Sequence, residues 1–437
     1  MRTAGLRLDH APQLDLPLRF FLTAPLFGVA AGALLALRGA ALLHSPWLPG
    51  TIALAHLITL GLLTMTMLGA LHQILPVVVG TEVPGARWSR WLQPLFALAV
   101  VLLAGGLLLG LPSVIATAMV LLAASLLPLL AQQAWGLLRA PGQGPTVQLL
   151  WLALAAFAGT IGLGLLFAAG HALGWWPLAR TAALPVHLFW GLGGWVGGLI
   201  AGVAIAVLPM FYIAPPVSPR AARALLATLG AMLVTAPPAT FLGAARAWLL
   251  LPLGCGAAAL VVFTVALLRL LRARRRKVTD VSLRYWQGGL VAAWLSVALL
   301  LLWVVWPQPR WLLAFGVLYL LGFAGAVLSG MLYKIVPFLV WTHRFSRMAG
   351  RGPMPMMGDL LPRRQAQRQQ MAYGLAVLLL AAATLFPAEW LVRVAGLALA
   401  VASGWLWVNL LRAARFQPPA AEPETGRLPQ AARAHLG

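Results

Sequence analysis

Residues 56–80 read HLITLGLLTMTMLGALHQILPVVVG, and the same spacing of glycine and proline occurs twice more in the chain. Gly61 and Gly69 lie eight residues apart, and Pro76 follows seven residues later. The stretch is apolar and longer than the roughly 20 residues that a helix needs to cross the hydrocarbon core of a membrane. It therefore predicts a membrane-spanning helix that bends at Pro76, because proline cannot donate a backbone hydrogen bond.

The other two copies are residues 187–215, HLFWGLGGWVGGLIAGVAIAVLPMFYIAP, and residues 322–345, GFAGAVLSGMLYKIVPFLVWTHRF. The matching glycines and prolines are Gly194, Gly202, Pro209, Gly322, Gly330 and Pro337. The first glycines of successive copies are 133 and 128 residues apart, a near-constant period that indicates an internal repeat. Seven residues are almost two helical turns, so the second glycine and the proline share one face, where a neighbouring helix or a flat cofactor can come close.

The composition predicts an all-α integral membrane protein. Of the 437 residues, 62% are hydrophobic and 9% are charged, whereas a soluble domain has about a quarter of its residues charged. Lipid must therefore cover the chain. We predict about twelve transmembrane helices in three pseudo-symmetric four-helix units, residues 18–137, 147–270 and 284–412. The predicted spans are 18–43, 51–80, 91–111, 113–137, 147–171, 183–213, 222–243, 247–270, 284–306, 311–341, 369–386 and 388–412.

The distribution of basic residues predicts the orientation. The chain has 31 Lys and Arg against eight Asp and Glu, and the arginines collect in every second connection, above all in 269–277 and 344–368. Cytoplasmic loops collect Lys and Arg, which predicts a bacterial-type inner-membrane protein with both termini cytoplasmic. Residues 1–17 are then a cytoplasmic segment and 413–437 a disordered cytoplasmic tail. The basic residues lie between apolar runs and form no face interleaved with stacking aromatics, so the predicted partner is the lipid bilayer and not nucleic acid.

No acidic residue falls in the interior of a predicted span; all eight lie at span ends, as Glu389 does, in loops or in the tails. Proton-coupled transporters and pumps usually need a buried carboxylate, so this pattern argues against both activities. Lys334 is the one lysine in a span, and it is close enough to the inner end for its ammonium to reach the interface. The single cysteine, Cys255, lies in an apolar run and is interpreted as a small hydrophobic core residue.

Three arcs of four helices, together with the three motifs quoted above, resemble the haem–copper oxidase subunit I-like membrane proteins. That class includes the NnrS-type haem- and copper-containing proteins linked to nitric oxide response. The resemblance implies a haem, with copper as a second candidate cofactor. It matches His56 to the low-spin haem ligand on the second helix and His187 to the copper ligand on the sixth.

The rest of the oxidase ligand set is missing. The tenth span has only His343, at its cytoplasmic end, and the seventh span, ALLATLGAMLVTAPPATF, has no histidine. The tyrosine expected four residues after the sixth-helix histidine is replaced by Gly191. The chain is therefore not predicted to be a complete haem–copper oxygen reductase, and any other enzymatic activity stays open.

The candidate cofactor ligands are His56, His187 and His72, with His56 and His187 also the candidate metal ligands. His56 lies 20 residues before Pro76 and His187 lies 22 before Pro209, so the two rings are expected at similar depth. The two-residue difference rotates the rings by about 200° relative to the repeat axis, which leaves open whether they face the same cleft. His72 is deeper, and a buried histidine in lipid needs a partner, which is either a third cofactor bond or a helix carbonyl.

Three functions follow from these features. The first is a haem-binding, and alternatively copper-binding, membrane protein in nitric oxide response or respiratory redox metabolism, working beside other redox membrane proteins. The second is a permease for a small uncharged or anionic solute, with Lys334 or His72 marking the path. The third is a cofactor-free structural subunit of a membrane complex.

Overall fold

The computed structural model describes residues 13–176, 178–241, 246–346 and 355–417. In these residues the chain forms twelve long helices and no strand, which confirms the predicted all-α fold. The helices are α1 (Asp15–Leu43), α2 (Pro49–Val79), α3 (Ala86–Leu109), α4 (Pro112–Leu138), α5 (Pro145–Leu173), α6 (Arg180–Tyr212), α7 (Pro219–Phe241), α8 (Leu250–Arg272), α9 (Val281–Val305), α10 (Pro309–Arg344), α11 (Arg363–Leu385) and α12 (Glu389–Ala414).

Eleven of these twelve helices are long and apolar enough to cross a membrane, so the chain is a multi-pass membrane protein. The exception is α11, which begins at Arg363, six residues before its predicted start, with two polar turns of Arg and Gln. The predicted ends also shift at the termini, because α1 begins at Asp15 and α12 ends at Ala414. Residues 1–12 and 418–437 lie outside the described residues, as do 242–245 between α7 and α8.

The three repeated helices α2, α6 and α10 are the innermost. In their most apolar windows 72, 61 and 67% of the residues are buried, against 28–50% in the other eight candidate spans. All three line one small cavity of about 90 Å³, which places them around a common centre. The remaining helices pack outside this central group, and α1 closes the structure by packing against α12.

The repeated glycines bring the second helix of each four-helix unit against the first. A methyl group on Gly61 would lie 2.3 Å from Phe27 on α1, and the corresponding approach for Gly194 is 2.4 Å to Ala156 on α5. The second glycines make the same kind of contact one level lower. The contacted pairs are Phe27 and Phe20 on α1, Ala156 and Leu149 on α5, and Ala292 and Tyr285 on α9. The members of each pair are seven residues apart, so the repeat extends to a second helix of each unit.

Two of the three repeated prolines, where the sequence predicts a bend, lie close to the end of their helix. Helix α2 ends at Val79 and α6 at Tyr212, in each case three residues after the proline of the internal repeat. Gly80 and Ile213, the next residues, have φ of 83° and 50°, left-handed values that end the helix. Pro76 and Pro209 therefore lie in the last turn of their helices. Helix α10 continues further past its proline, for seven residues after Pro337.

The larger departure from regular α-helix lies earlier in the same three helices. Each contains a π-helical segment, Leu57–Thr64 in α2, Phe189–Gly197 in α6 and Leu318–Gly325 in α10. Every segment ends 12 residues before the proline of its helix. Long π-helical stretches are rare and frequently occur at functional sites. The three segments occupy equivalent positions in α2, α6 and α10, so this level of the molecule is a candidate for the functional site.

Two hydrogen bonds join these segments across the centre. The Trp195 indole N–H on α6 donates to Thr64 Oγ1 on α2 at 2.9 Å. The Tyr319 hydroxyl on α10 donates to the Leu192 carbonyl on α6 at 2.9 Å. Gly197 is required beside this second bond, because a Cβ there would lie 2.8 Å from the Tyr319 hydroxyl oxygen. The π-helical segments are thus linked from α2 through α6 to α10.

Candidate cofactor site

His56 and His187 lie side by side at the start of two π-helical segments. His56 immediately precedes the segment of α2, and His187 stands two residues before that of α6. Their ring centres are 6.4 Å apart, and the ring planes are inclined by 28°. The two rings therefore face one cavity. The sequence could not decide whether the two rings face the same cleft, because the rotation of about 200° estimated from their spacing does not say how α2 and α6 are placed relative to each other.

The hydrogen bonds of His56 leave one nitrogen free for a ligand. Its Nδ1 is 2.8 Å from the Ile52 carbonyl oxygen, an acceptor, so the proton is assigned to Nδ1. The lone pair of Nε2 then points away from the helix backbone. Histidines that bind metals usually donate their other ring N–H to a carbonyl or carboxylate in this way, which fixes the ring and its tautomer.

His187 is positioned by ring packing and by the backbone of Thr160. The edge of its ring meets the Phe167 ring, with centres 5.5 Å apart and planes at 79°. Gly164 on α5 makes room for it, since a Cβ there would lie 3.3 Å from His187 Cε1. Within the described part of the chain, no group hydrogen-bonds His187 Nδ1, although this nitrogen is buried. A buried polar atom without a partner is costly, so this ring has unused binding capacity.

Both histidines open into an apolar cavity of about 370 Å³ between α2, α5, α6 and α10. Cavities that hold small molecules and cofactors usually have this character, a mostly apolar wall with a few polar groups. A third histidine, His171, lines its outer part, where its ring contacts the edge of Trp176. The polar side chains of the wall include Thr51, Thr59, Thr64, Thr160, Arg180 and Thr384.

The distance between the rings fits one metal atom held between them. A metal lies about 2 Å from a histidine nitrogen, and each nitrogen lies roughly 1 Å from its ring centre, so linear ligation puts the centres about 6 Å apart. The 6.4 Å observed for His56 and His187 is close to this value. In the described residues, no group of three or more His, Cys, Asp or Glu side chains could hold a metal ion.

The number of available protein ligands distinguishes a haem from a bare metal ion as the cofactor. A bare zinc or copper ion needs about four ligands, of which the pair supplies two. Haem iron already has four porphyrin nitrogens, and two histidines complete its coordination. The residues present therefore fit haem better than a bare copper ion.

His72, the third candidate ligand, lies elsewhere and has its own partners. It is 16 residues from His56 on the same helix, about 24 Å away along the axis. Its Nδ1 is 2.7 Å from the Leu68 carbonyl oxygen, and its Nε2 is 2.9 Å from Ser89 Oγ on α3. The ring is fully buried and stacks on Phe20. It cannot share a cofactor with His56 and His187, and it holds α2 against α1 and α3.

Lys334 forms an ion pair at the arginine-rich end of the molecule instead of extending to the interface. Its Nζ is 2.8 Å from Asp280 Oδ2, and it lies 4.1 Å from the ring centre of Tyr212. Asp280 also caps α9 by accepting the Leu283 N–H. Burial alone would raise the pKa of Asp280, but the Lys334 ammonium and these hydrogen bonds outweigh it and hold that pKa below its usual value.

A buried polar network that the sequence analysis did not identify connects α9, α10, α11 and α12. Gln369 Oε1 accepts from the hydroxyls of Tyr285 and Tyr333, at 2.6 and 2.9 Å. Asn409 Nδ2 donates to the Tyr333 hydroxyl at 2.8 Å. The one available signal was the presence of Gln369 and Asn409 in predicted spans, since a polar side chain in lipid requires a partner.

These contacts define a multi-pass α-helical membrane protein with a half-buried histidine pair at one level of its central helices. No model of a known protein family matches the chain, and no curated protein is similar to it in sequence. The case for a function therefore depends on the chain's own residues.

Proposed function

We propose that the protein binds one haem between α2 and α6, and that His56 and His187 are the two side chains that would hold its iron. The observation that carries the proposal is the 6.4 Å separation of two histidine rings that face a shared apolar cavity. The tautomer of His56, set by the Ile52 carbonyl, leaves Nε2 ready to bind iron. Bound haem would supply a one-electron carrier in the membrane.

A haem held by both histidines would supply one-electron transfer and would have no position left for oxygen. This favours electron transfer in respiratory redox metabolism, with other redox membrane proteins as partners, over an oxygen-reducing activity. It is consistent with the missing copper ligands on α7, where residues 224–241 contain no histidine. Kinship with the haem–copper oxidase subunit I-like class, including its NnrS-type members, is part of the proposal and is supported by the threefold repeat.

The proposed setting is a bacterial-type inner membrane with both termini in the cytoplasm. The support is the concentration of arginine in the connections after α8 and α10. In that orientation the histidine pair lies in the periplasmic half, because α2 and α6 begin at the face opposite these connections.

Spectroscopy of the purified protein tests the proposal. Protein produced with adequate haem supply should show a Soret band and about one haem per chain by the pyridine haemochrome assay, since two histidines complete one iron. His56→Ala and His187→Ala should each lose most of the haem. The control is His44→Ala, at an exposed histidine outside the cavity. A protein without haem would refute the proposal and favour the structural-subunit alternative. Haem that stays at the wild-type level in both variants would show that other residues hold it, which would also refute the proposal.

The permease alternative has lost its specific support. Its two markers, Lys334 and His72, are both engaged by protein groups, Asp280 for the lysine and Leu68 and Ser89 for the histidine. No contact of either side chain favours a solute path over this structural role.

A further inference from the structure

A second and larger cavity lies on the other side of α6 from the histidine pair. Its volume is about 760 Å³, roughly twice that of the histidine cavity. Its walls come from α6, α7 and α8 on one side and from α9 and α10 on the other. It therefore occupies the seam between the second and third four-helix units, where α8 and α9 contact each other little.

The cavity is long and apolar. Along α6 its lining runs from Arg180 to Ala201, and 21 residues of helix correspond to roughly 30 Å. That length is comparable to the hydrocarbon thickness of a bilayer. Aromatic and aliphatic side chains make up most of the wall, among them Phe189, Leu229, Leu253, Phe263, Phe315 and Phe323. The shape suits an extended hydrocarbon chain.

Polar groups collect at the outer end of the cavity. Arg180 and Thr181 are exposed there and belong to the first turn of α6. The preceding residue, Ala179, provides no side-chain cap for the helix, so the first backbone N–H groups are available to an anion. The Arg180 guanidinium lies 5.5 Å from the ring centre of Trp176. Trp47 and Trp303, which also line the cavity, are residues typical of the membrane interface.

The deeper wall offers no comparable group. The Tyr319 hydroxyl is there, but its proton is donated to the Leu192 carbonyl. Among the lining residues that the structure describes, none is acidic. The cavity therefore combines one cationic, hydrogen-bonding end with an apolar body. It is complementary to an anionic lipid, which has a negatively charged headgroup and apolar acyl chains.

We propose that this cavity binds an anionic phospholipid. The phosphate of the lipid lies at Arg180 and Thr181, and one acyl chain extends along α6 into the seam between α8 and α9. The lipid fills the gap between two four-helix units, next to the wall shared with the histidine cavity. None of the three candidate histidines lines this cavity, although Arg180 borders both this cavity and the histidine cavity.

Native mass spectrometry of the full chain tests the site. Protein in mild detergent is titrated with phosphatidylglycerol and, separately, with phosphatidylethanolamine of the same acyl chains. We expect one tightly retained phosphatidylglycerol, and about tenfold weaker retention in Arg180→Gln because a charge-assisted hydrogen bond is lost. The matched control is Arg310→Gln, since Arg310 also lies at the outer end but stacks on Trp306 and Trp311 outside the cavity.

A second pair of variants tests the acyl-chain position. Ala257→Phe places a ring inside the cavity and should abolish retention, whereas Ala258→Phe, one residue further on the exposed face of α8, should not. A diazirine in the acyl chain should cross-link to α6, α8 or α9. Equal retention of the two lipids, an unchanged affinity in Arg180→Gln, or an isoprenoid quinone retained in place of phospholipid would each overturn the proposal. Haem content, measured in the same samples, reports separately on the histidine site.

Discussion

At the scale of single residues, the hydrogen-bond partners of a buried polar side chain show whether it has a structural role or can bind a ligand. His72 has protein atoms at both ring nitrogens, whereas His187 Nδ1 has none among the described residues. A side chain whose hydrogen bonds are complete contributes to stability, and one with an unused buried nitrogen can bind a ligand. This difference, and not depth in the membrane, distinguishes the three candidate histidines.

Replacing His72 should therefore affect folding and not cofactor content. His72→Ala removes a buried ring and leaves Ser89 without one of its partners, so we expect a loss of about 2–4 kcal/mol of stability. Thermal unfolding in detergent measures the loss, and the ratio of haem to protein should stay at the wild-type value. Loss of haem from a variant that is as stable as wild type would contradict this assignment.

The Asp280–Lys334 ion pair should make stability dependent on pH in the acid range. Because the folded-state pKa of Asp280 is lowered, its contribution is complete above the unfolded carboxyl pKa near 4 and is lost as the pH falls through the folded value. Asp280→Asn keeps an N-cap for α9 but removes the charge. The melting temperature of this variant should be below wild type at pH 7, with the difference shrinking below about pH 4. A difference that stays constant down to pH 3 would show that the charge is not responsible.

These contacts could not be predicted from the sequence. Asp280 and Lys334 are 54 residues apart, and Gln369 lies 84 residues from Tyr285. Hydropathy places each in or near a span, but it does not say which helices are neighbours or at what height their side chains meet. Only the need of each polar side chain for some partner was evident.

At the scale of helices, the π-helical segments determine how α2, α6 and α10 meet. They put His56 and His187 at the start of two segments and supply the Trp195–Thr64 and Tyr319–Leu192 bonds. The helices themselves were predictable, because long apolar runs bounded by arginine have few alternatives. The π-helical segments were not, since no residue type specifies them and packing decides where they form.

A double-mutant cycle tests the link between α6 and α2. Trp195→Phe and Thr64→Val each remove one side of a buried hydrogen bond that joins two π-helical segments. We expect the summed stability losses of the two single variants to exceed the loss in the double variant by about 1 kcal/mol, which is the coupling energy. Additive losses in thermal unfolding would show that the bond contributes nothing of its own.

At the scale of the whole molecule, three four-helix units form a closed arrangement in which α1 meets α12. Gly32 and Gly396 allow this closure, since a Cβ on Gly32 would lie 2.5 Å from the Gly396 carbonyl oxygen. Glu389 adds a bond to the Ala40 N–H at 2.8 Å. The threefold repeat was visible in the sequence as glycine and proline spacing, but the closure was not, because α1 and α12 lie at opposite ends of the chain.

Enlarging Gly32 should open this contact. Gly32→Ala forces a methyl group against the backbone of α12, and we expect a loss of roughly 1–3 kcal/mol together with a smaller monodisperse fraction on size-exclusion chromatography. Gly105→Ala on α3 is the matched control, because no atom lies within 4 Å of the added methyl group. Equal behaviour of the two variants would contradict tight packing of α1 on α12.

Electron paramagnetic resonance of the oxidised, purified protein tests the histidine pair most directly, because the signal of ferric haem reports its two axial ligands. Ligation by His56 and His187 predicts a low-spin signal typical of two imidazoles, which changes to a high-spin signal in whatever haem His187→Ala retains. A high-spin wild-type signal, or a low-spin signal that persists unchanged when either histidine is replaced, would show that the pair does not hold the iron.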